Sequence, residues 1–251
     1  MLTVLSNKDY KVADRLLFEN SDHPHCVIRT LEHNVLPLLE KREQFLDIGP
    51  GPGLITNAVA DVFTHTVIVE PNPEFHSYFN LDKVELIEST FQEASMENRT
   101  FDLVLCSHML YHVPMADWSS FLDKAYQLLQ PGGVLLVNMM AQRGYHHDFC
   151  IGFVDDYPSS RQVLQHFEER VLPRKIVSAE YSYSTMVFDE MHTLCRFFVL
   201  EDLFSHKSWQ ALTLAQQQEI EKRIYDYAAA RKTPHGNYVL HHEGDYVIVT
   251  K

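Results

Sequence analysis

The chain has 251 residues, 45% of them hydrophobic, and 34 acidic against 21 basic side chains give a formal net charge of −13 at pH 7. That is apolar material for one large domain or a domain with an elaborated cap, and it argues against a nucleic-acid partner, whose phosphates demand Lys/Arg clusters. The first ten residues lack the regions of a signal peptide, no stretch approaches the ~18 apolar residues of a membrane span, and Cys26, Cys106, Cys150 and Cys195 form no C-x-x-C, so a cytoplasmic protein with reduced thiols and no membrane partner is expected.

Residues 8–41 carry helical periodicity in two pieces, with Leu16, Leu17 and Phe18 in the first and Val27, Ile28, Leu31, Val35 and Leu38 in the second. They predict an N-terminal helical cap over residues 1–41. From 42 to 140 the chain alternates strand and helix at 44–48, 54–63, 66–70, 73–80, 83–88, 101–106, 117–129 and 133–139, which demands a parallel, doubly wound sheet. Asp117 is placed to cap the helix that follows it, and Pro131-Gly132-Gly133 to stop that helix and turn the chain into the next strand.

The stretch Phe45 to Thr56, FLDIGPGPGLIT, reads as a buried strand that ends in a glycine loop and opens a helix. Gly49, Gly51 and Gly53 follow G-x-G-x-G, with prolines between them, and depart from the G-x-G-x-x-G of pyrophosphate-holding dinucleotide sites. A second apolar strand, Thr66 to Val69, ends in Glu70, an acid about twenty residues past the loop, where a carboxylate can accept hydrogen bonds from both ribose hydroxyls. Loop and acid together outline an adenosine site without a phosphate requirement.

After Met140, residues 141–251 supply the remainder of the sheet. A helix is expected from Ser159 or Ser160 to Phe167 and a long strand over 175–187. Apolar faces at Met191, Leu194, Phe197, Phe198 and Leu200 to Leu203, then over Leu212 to Ala230, predict two further helices. The chain closes on Tyr238 to Thr250, read as two strands about a turn or bulge at Glu243-Gly244-Asp245. A helical insertion over about 188–235 thus separates the last two strands, far longer than an ordinary connection, and suits a substrate pocket.

These landmarks, with Phe101-Asp102-Leu103-Val104-Leu105-Cys106 and Leu129-Gln130-Pro131-Gly132-Gly133-Val134, resemble the class I S-adenosylmethionine-dependent methyltransferases. The resemblance implies an α/β fold with a doubly wound, mostly parallel seven-stranded Rossmann-like sheet, S-adenosylmethionine as cofactor, and a small-molecule acceptor. It also implies roles. Asp47 lies near the methionine ammonium, the backbone of Gly49 and Gly51 approaches the cofactor, Glu70 takes the ribose, Thr90 and Phe91 flank the adenine, and Ser107 follows the fourth strand beside the cofactor.

The strings VEPNPEF (69–75), HMLYHV (108–113), STM (184–186) and HHEGDYVIVTK (241–251) resemble the histamine N-methyltransferases more narrowly. Where that family holds its acceptor with a glutamate and two amides, this chain aligns His23, His108 and His242, so the acidic partner for an ammonium is missing. Imidazoles can act as bases, bind an acceptor or ligate a metal. Neither H-E-x-x-H nor a carboxylate-rich divalent site is present, so no metal is expected; whether the histidines converge on the pocket or on a metal stays open. Methylation of an amine or imidazole-like acceptor is the reading, with His108, His23 and His242 catalytic; O-methylation of a hydroxylated molecule and a non-catalytic cofactor-binding partner are the alternatives. Acceptor identity and oligomeric state are not legible.

Overall fold

The structure is a computed structural model that describes residues 15–17, 19–145, 147, 159–170, 176–198 and 213–251. Seven strands form one sheet in the order β3-β2-β1-β4-β5-β7-β6: β1 (Gln44–Ile48), β2 (His65–Val69), β3 (Val84–Ile87), β4 (Phe101–Ser107), β5 (Leu129–Met140), β6 (Ile176–Phe188) and β7 (Tyr238–Thr250). Pairings from β3 through β5 are parallel, and β7 runs antiparallel to both β5 and β6. The seven-stranded, mostly parallel, doubly wound arrangement is the one expected from the alternation of elements.

The central strands are continuous apolar runs because both faces are covered. Phe45, Leu46 and Ile48 of β1 and Leu103, Val104 and Leu105 of β4 are at most 1% exposed, each worth about 1.5–3 kcal/mol of burial. One polar residue in this run is explained by the strand it holds. Asp102 Oδ2 accepts the N–H groups of Glu43 and Gln44, each at 2.8 Å, and so pins the entry of β1 against β4.

The helices are α1 (His23–Thr30), α2 (Leu54–Val59), α3 (Pro73–His76), α4 (Trp118–Gln127), α5 (Ser160–Arg170), α6 (Met191–Phe198) and α7 (Leu214–Ala229). α1 continues through a π turn, Leu31–Val35, and a short 3-10 turn, Leu36–Leu38, the latter opened by Pro37. Its buried face, Val27, Leu31 and Val35, packs with Phe45, Leu103 and Leu136 beneath the sheet. α7 begins with a reciprocal cap between Thr213 and Gln216, and Ile220, Ile224 and Ala228 pack with Met186, Phe188 and Leu194. Thus α6 and α7 both lie between β6 and β7 in the chain. Phe18, Cys150 and Leu200 to Leu203 fall outside the described residues. Among the described residues, no helix is long and apolar enough to cross a membrane.

Three local expectations are corrected. The Glu243-Gly244-Asp245 segment is not a break: β7 is a single strand, because Glu243, Gly244 and Asp245 pair with Tyr183, Ser182 and Tyr181 while Gly244 and Asp245 also pair with Met140 and Met139. Pairing on both sides overrides a local turn signal. Asp117 precedes α4 but makes no side-chain cap: it is in αR backbone at the end of a 3-10 turn, Met115–Asp117, rather than in the extended conformation usual for an N-cap. Pro131-Gly132-Gly133 does not stop that helix, which ends at Gln127. Leu129 already pairs with Phe101, so the Pro-Gly-Gly sits inside β5 as a register shift.

Candidate active site

The strand order reverses between β1 and β4, and in a doubly wound sheet the crevice beyond the carboxyl ends of the strands at that point is where ligands bind. Both segments that flank it carry left-handed backbone. After β1, Gly49 has φ +66° and Gly51 φ +55°; after β4, His108 has φ +52°. For a non-glycine residue this costs about 1–2 kcal/mol, and it is held here by the His108 N–H donating to the Asn138 carbonyl at 2.9 Å.

The two segments touch. A Cβ at Gly49 would stand 2.9 Å from Met109 Cβ, so only glycine lets the loops approach. At Gly51 an added Cβ would meet no atom of the described residues within 4 Å, so its space lies open to a ligand. The loop is fixed from below. Gly49 N–H donates to the Val69 carbonyl at 2.9 Å, and Glu70 Oε2 accepts the Gly51 N–H at 3.1 Å while Oε1 accepts the Asn72 N–H at 2.8 Å. Burial raises the Glu70 pKa, partly offset by those two hydrogen bonds. Each of its oxygens keeps a second acceptor position, as a ribose diol requires.

Asp47 is 2% exposed and accepts a hydrogen bond from Thr56 Oγ1 at 2.6 Å. Burial pushes its pKa up to about 7; the Thr56 bond opposes this and the neighbouring Glu70 adds to it. A carboxyl this poorly solvated beside an open loop is suited to a cation. Cys106, buried next to Asp47, is held as the thiol by burial, so it offers no nucleophile.

Thr90 Oγ1 donates to Glu93 Oε2 at 2.7 Å, closing the turn after β3, and the Phe91 ring packs on Phe121 at 4.8 Å in the core. The Lys124 ammonium fixes this segment by donating to the carbonyls of Phe91 (2.6 Å), Gln92 (3.2 Å) and Ala94 (2.9 Å). Ser107 Oγ accepts from Asn138 Nδ2 at 3.2 Å. Asn138 is fully buried, and its Oδ1 has no hydrogen-bond partner among the described residues. Sequence reasoning passed over it and over Lys124; a lone polar residue in the run VLLVNMM was the available signal for Asn138.

The structure brings His23, His108 and His242 together. Ring centroids are 4.6 Å apart for His23 and His108, 5.2 Å for His23 and His242, and 5.5 Å for His108 and His242. Each arrives by a different route. His108 follows β4. His242 lies in the part of β7 beyond the end of β5, where Gly244 pairs with Met140, so it falls on the carboxyl edge of the parallel strands. His23 opens α1, whose start is tied to β6 by the Ser21–Met186 bridge and by Asp22 Oδ1 accepting the Thr185 N–H at 2.7 Å. Burial lowers the His23 pKa to about 4 against a smaller opposing effect of Asp22, leaving it a neutral imidazole at pH 7.

The glycine loop, Glu70, the strand order and the crevice define a class I methyltransferase. A family model described as "Methyltransferase domain" matches residues 23–205, and the chain belongs to that family. Residues 23–205 therefore form a methyltransferase domain. A ubiquinone biosynthesis O-methyltransferase of Xylella fastidiosa is 32% identical over 100 residues, 37% of this chain and 40% of that protein, and one of Colwellia psychrerythraea is 28% identical over 107 residues, 39% and 42%. The match thus spans about 40% of the length of these curated relatives. Among solved structures, a Bacillus halodurans C-125 protein assigned as a methyltransferase superposes with a TM-score of 0.58 at 18% identity, covering 88% of this chain and 96% of its own. A Galdieria sulphuraria protein assigned as a sarcosine dimethylglycine methyltransferase gives 0.53 at 13% identity, with 90% and 85% covered. These two likenesses show the fold.

Proposed function

We propose that the enzyme methylates a small molecule whose attacking atom is received at His23, His108 and His242. The single observation that carries this reading is the convergence of the three rings on the carboxyl edge of the sheet, with His108 one residue from the loop contact between Met109 and Gly49. S-adenosylmethionine supplies a methyl group on a positively charged sulfur, open to in-line attack. The chain's own work is then to hold donor and acceptor collinear and to keep water out. In this reading Glu70 accepts from the ribose hydroxyls, Asp47 faces the ammonium, Gly49 and Gly51 let the backbone approach, and Thr90, Phe91 and Ser107 border the adenosine.

The acceptor is preferred as the neutral nitrogen of an amine or imidazole-like compound, in keeping with the sequence resemblance to histamine N-methyltransferases. Imidazole nitrogens can accept its N–H and orient its lone pair. One observation favours a hydroxylated acceptor as the second reading: the cluster is made of imidazoles alone, and His23 is neutral. Among the described residues this cluster includes no carboxylate to hold an ammonium, whereas a neutral imidazole can take the proton of a hydroxyl.

The test is release of S-adenosylhomocysteine over a panel of small amines, imidazoles and phenols, with wild type and His108→Ala side by side. Turnover on at least one class that falls by roughly a hundredfold or more in His108→Ala is expected, the usual scale for a positioned acid–base group. Turnover indifferent to His108 would remove the triad from the acceptor pocket. Which class turns over separates the two acceptor readings.

A further inference from the structure

Two buried imidazoles packed against a third, half-buried one are expensive as mere core. Each brings a donor and an acceptor that apolar side chains of the same size would not, and an unpaired buried polar group costs about 1–3 kcal/mol. His23 and His242 are each 2% exposed, and His23 Nδ1 has no hydrogen-bond partner among the described residues. One ring nitrogen from each of the three lies within 4.8 Å of those of the other two. Tetrahedral ligation at a metal–nitrogen distance of ~2.0–2.1 Å sets the nitrogens roughly 3.3 Å apart, so modest ring rotations close the gap.

The surroundings are also those of a ligand set. The His108 backbone is held in a strained left-handed conformation rather than relaxed away, and Tyr111 Oη stands 3.4 Å from His108 Nδ1 while receiving the Met140 N–H. A second group fixing the ring and tautomer of a ligating histidine is a recurrent feature of metal sites. The donors are imidazole nitrogens, with no carboxylate among the described residues of the cluster, which disfavours magnesium and calcium and suits zinc or ferrous iron.

We propose that His23, His108 and His242 form a three-imidazole site for a divalent first-row cation, with the remaining coordination position open on the His108 side toward the acceptor. His108 is the half-buried member of the three and adjoins the glycine loop, so that side faces the cleft. The inference rests on the triad being the acceptor pocket only for what it says of substrate. A cation there lowers the pKa of a coordinated hydroxyl, and it would occupy the lone pair that a neutral amine needs for attack. A bound cation therefore favours the second reading above, a hydroxylated acceptor, over the amine.

The experiment is titration of the chelator-stripped chain with cobalt(II), read by visible d–d absorption, with metal content measured after dialysis. One equivalent should bind with the intense bands of a four-coordinate nitrogen site, and zinc should displace it. His242→Gln and His108→Gln should each weaken binding by on the order of 100-fold, since even a partner outside the ligand set is worth about 10–100-fold. S-adenosylhomocysteine binding by each variant reports that it is folded, and exposed His235→Gln serves as the control for surface histidines. Absence of the bands in wild type, or bands unchanged in both triad variants, overturns the proposal. Cobalt bound at the triad without turnover on any hydroxylated acceptor sustains the site and sinks the acceptor reading. Full turnover by metal-free protein with no cobalt bands does the reverse.

Discussion

Glu70 and Gly51 are joined by a hydrogen bond of 3.1 Å from the glycine N–H to the carboxylate, which makes the acid the brace of the loop and, in the proposed reading, the acceptor of the ribose hydroxyls at its mouth. Glu70→Gln replaces one acceptor oxygen with an NH2 that must face a backbone N–H or a ribose hydroxyl. Hydrogen bonds to charged groups contribute about 1.5–3 kcal/mol, so S-adenosylhomocysteine should bind about 10- to 100-fold more weakly by calorimetry. Affinity within about twofold of wild type would take the ribose away from Glu70.

Asp47 predicts a pH dependence of opposite sign for stability and for cofactor binding. Its folded pKa of about 7 exceeds the ~3.9 of an unfolded aspartate. Between those values the folded state holds the proton and the unfolded state does not, so this contribution to stability falls as pH rises from about 4 to 7. A bound cation favours the ionised form, so S-adenosylmethionine affinity should rise from pH 6 to 8. Asp47→Asn should flatten both profiles, raise the thermal midpoint at pH 8 by roughly 5 °C at about 2–4 °C per kcal/mol, and weaken binding at that pH. Parallel profiles for wild type and variant would show that Asp47 does not titrate in this range.

The two loop glycines should fail differently. Gly51→Ala carries only the left-handed strain of about 1–2 kcal/mol, because its Cβ points into open space. It should stay folded and lose cofactor affinity about tenfold or more, the new methyl standing where the ligand approaches. Gly49→Ala adds a collision with Met109 at 2.9 Å and should lose more in thermal midpoint. Equal effects on melting, with binding intact in both, would place the cofactor elsewhere.

Much of the proposed donor side is legible in sequence because its signals are local. An apolar run, a glycine loop and an acid at the next strand end sit within Phe45 to Glu70, and each is read without knowing what lies across the sheet. The proposed acceptor side is assembled from segments remote in sequence. His23, His108 and His242 meet only because Ser21 bridges Met186 and because β7 runs unbroken between β5 and β6. Glu243-Gly244-Asp245 looked like a turn for the same reason: its pairing partners, Tyr181 to Tyr183 and Met139 to Met140, are remote in sequence. Lys124 was illegible too, since a lysine on an amphipathic helix gives no hint of the three carbonyls it holds.

Lys124 is a positioning residue in this account. Burial lowers its pKa, and its ammonium replaces lost water with the carbonyls of Phe91, Gln92 and Ala94. Lys124→Met leaves them without that donor and loosens the segment that borders the adenine. KM for S-adenosylmethionine should rise several-fold, about 1 kcal/mol in all because the segment borders the ligand only indirectly, with kcat nearly unchanged. An equal loss in kcat with constant KM would instead assign Lys124 to the acceptor side.

In the proposed arrangement the cofactor lies across the β1–β4 crevice with its sulfur toward the three histidines. A crystal structure of the complex with S-adenosylhomocysteine tests it most directly. The ribose hydroxyls are expected on Glu70, the amino acid end beside Asp47 and Gly49, and the sulfur facing His108 with His23 and His242 behind it. A sulfur directed away from the triad, with another set of side chains around it, would contradict the account.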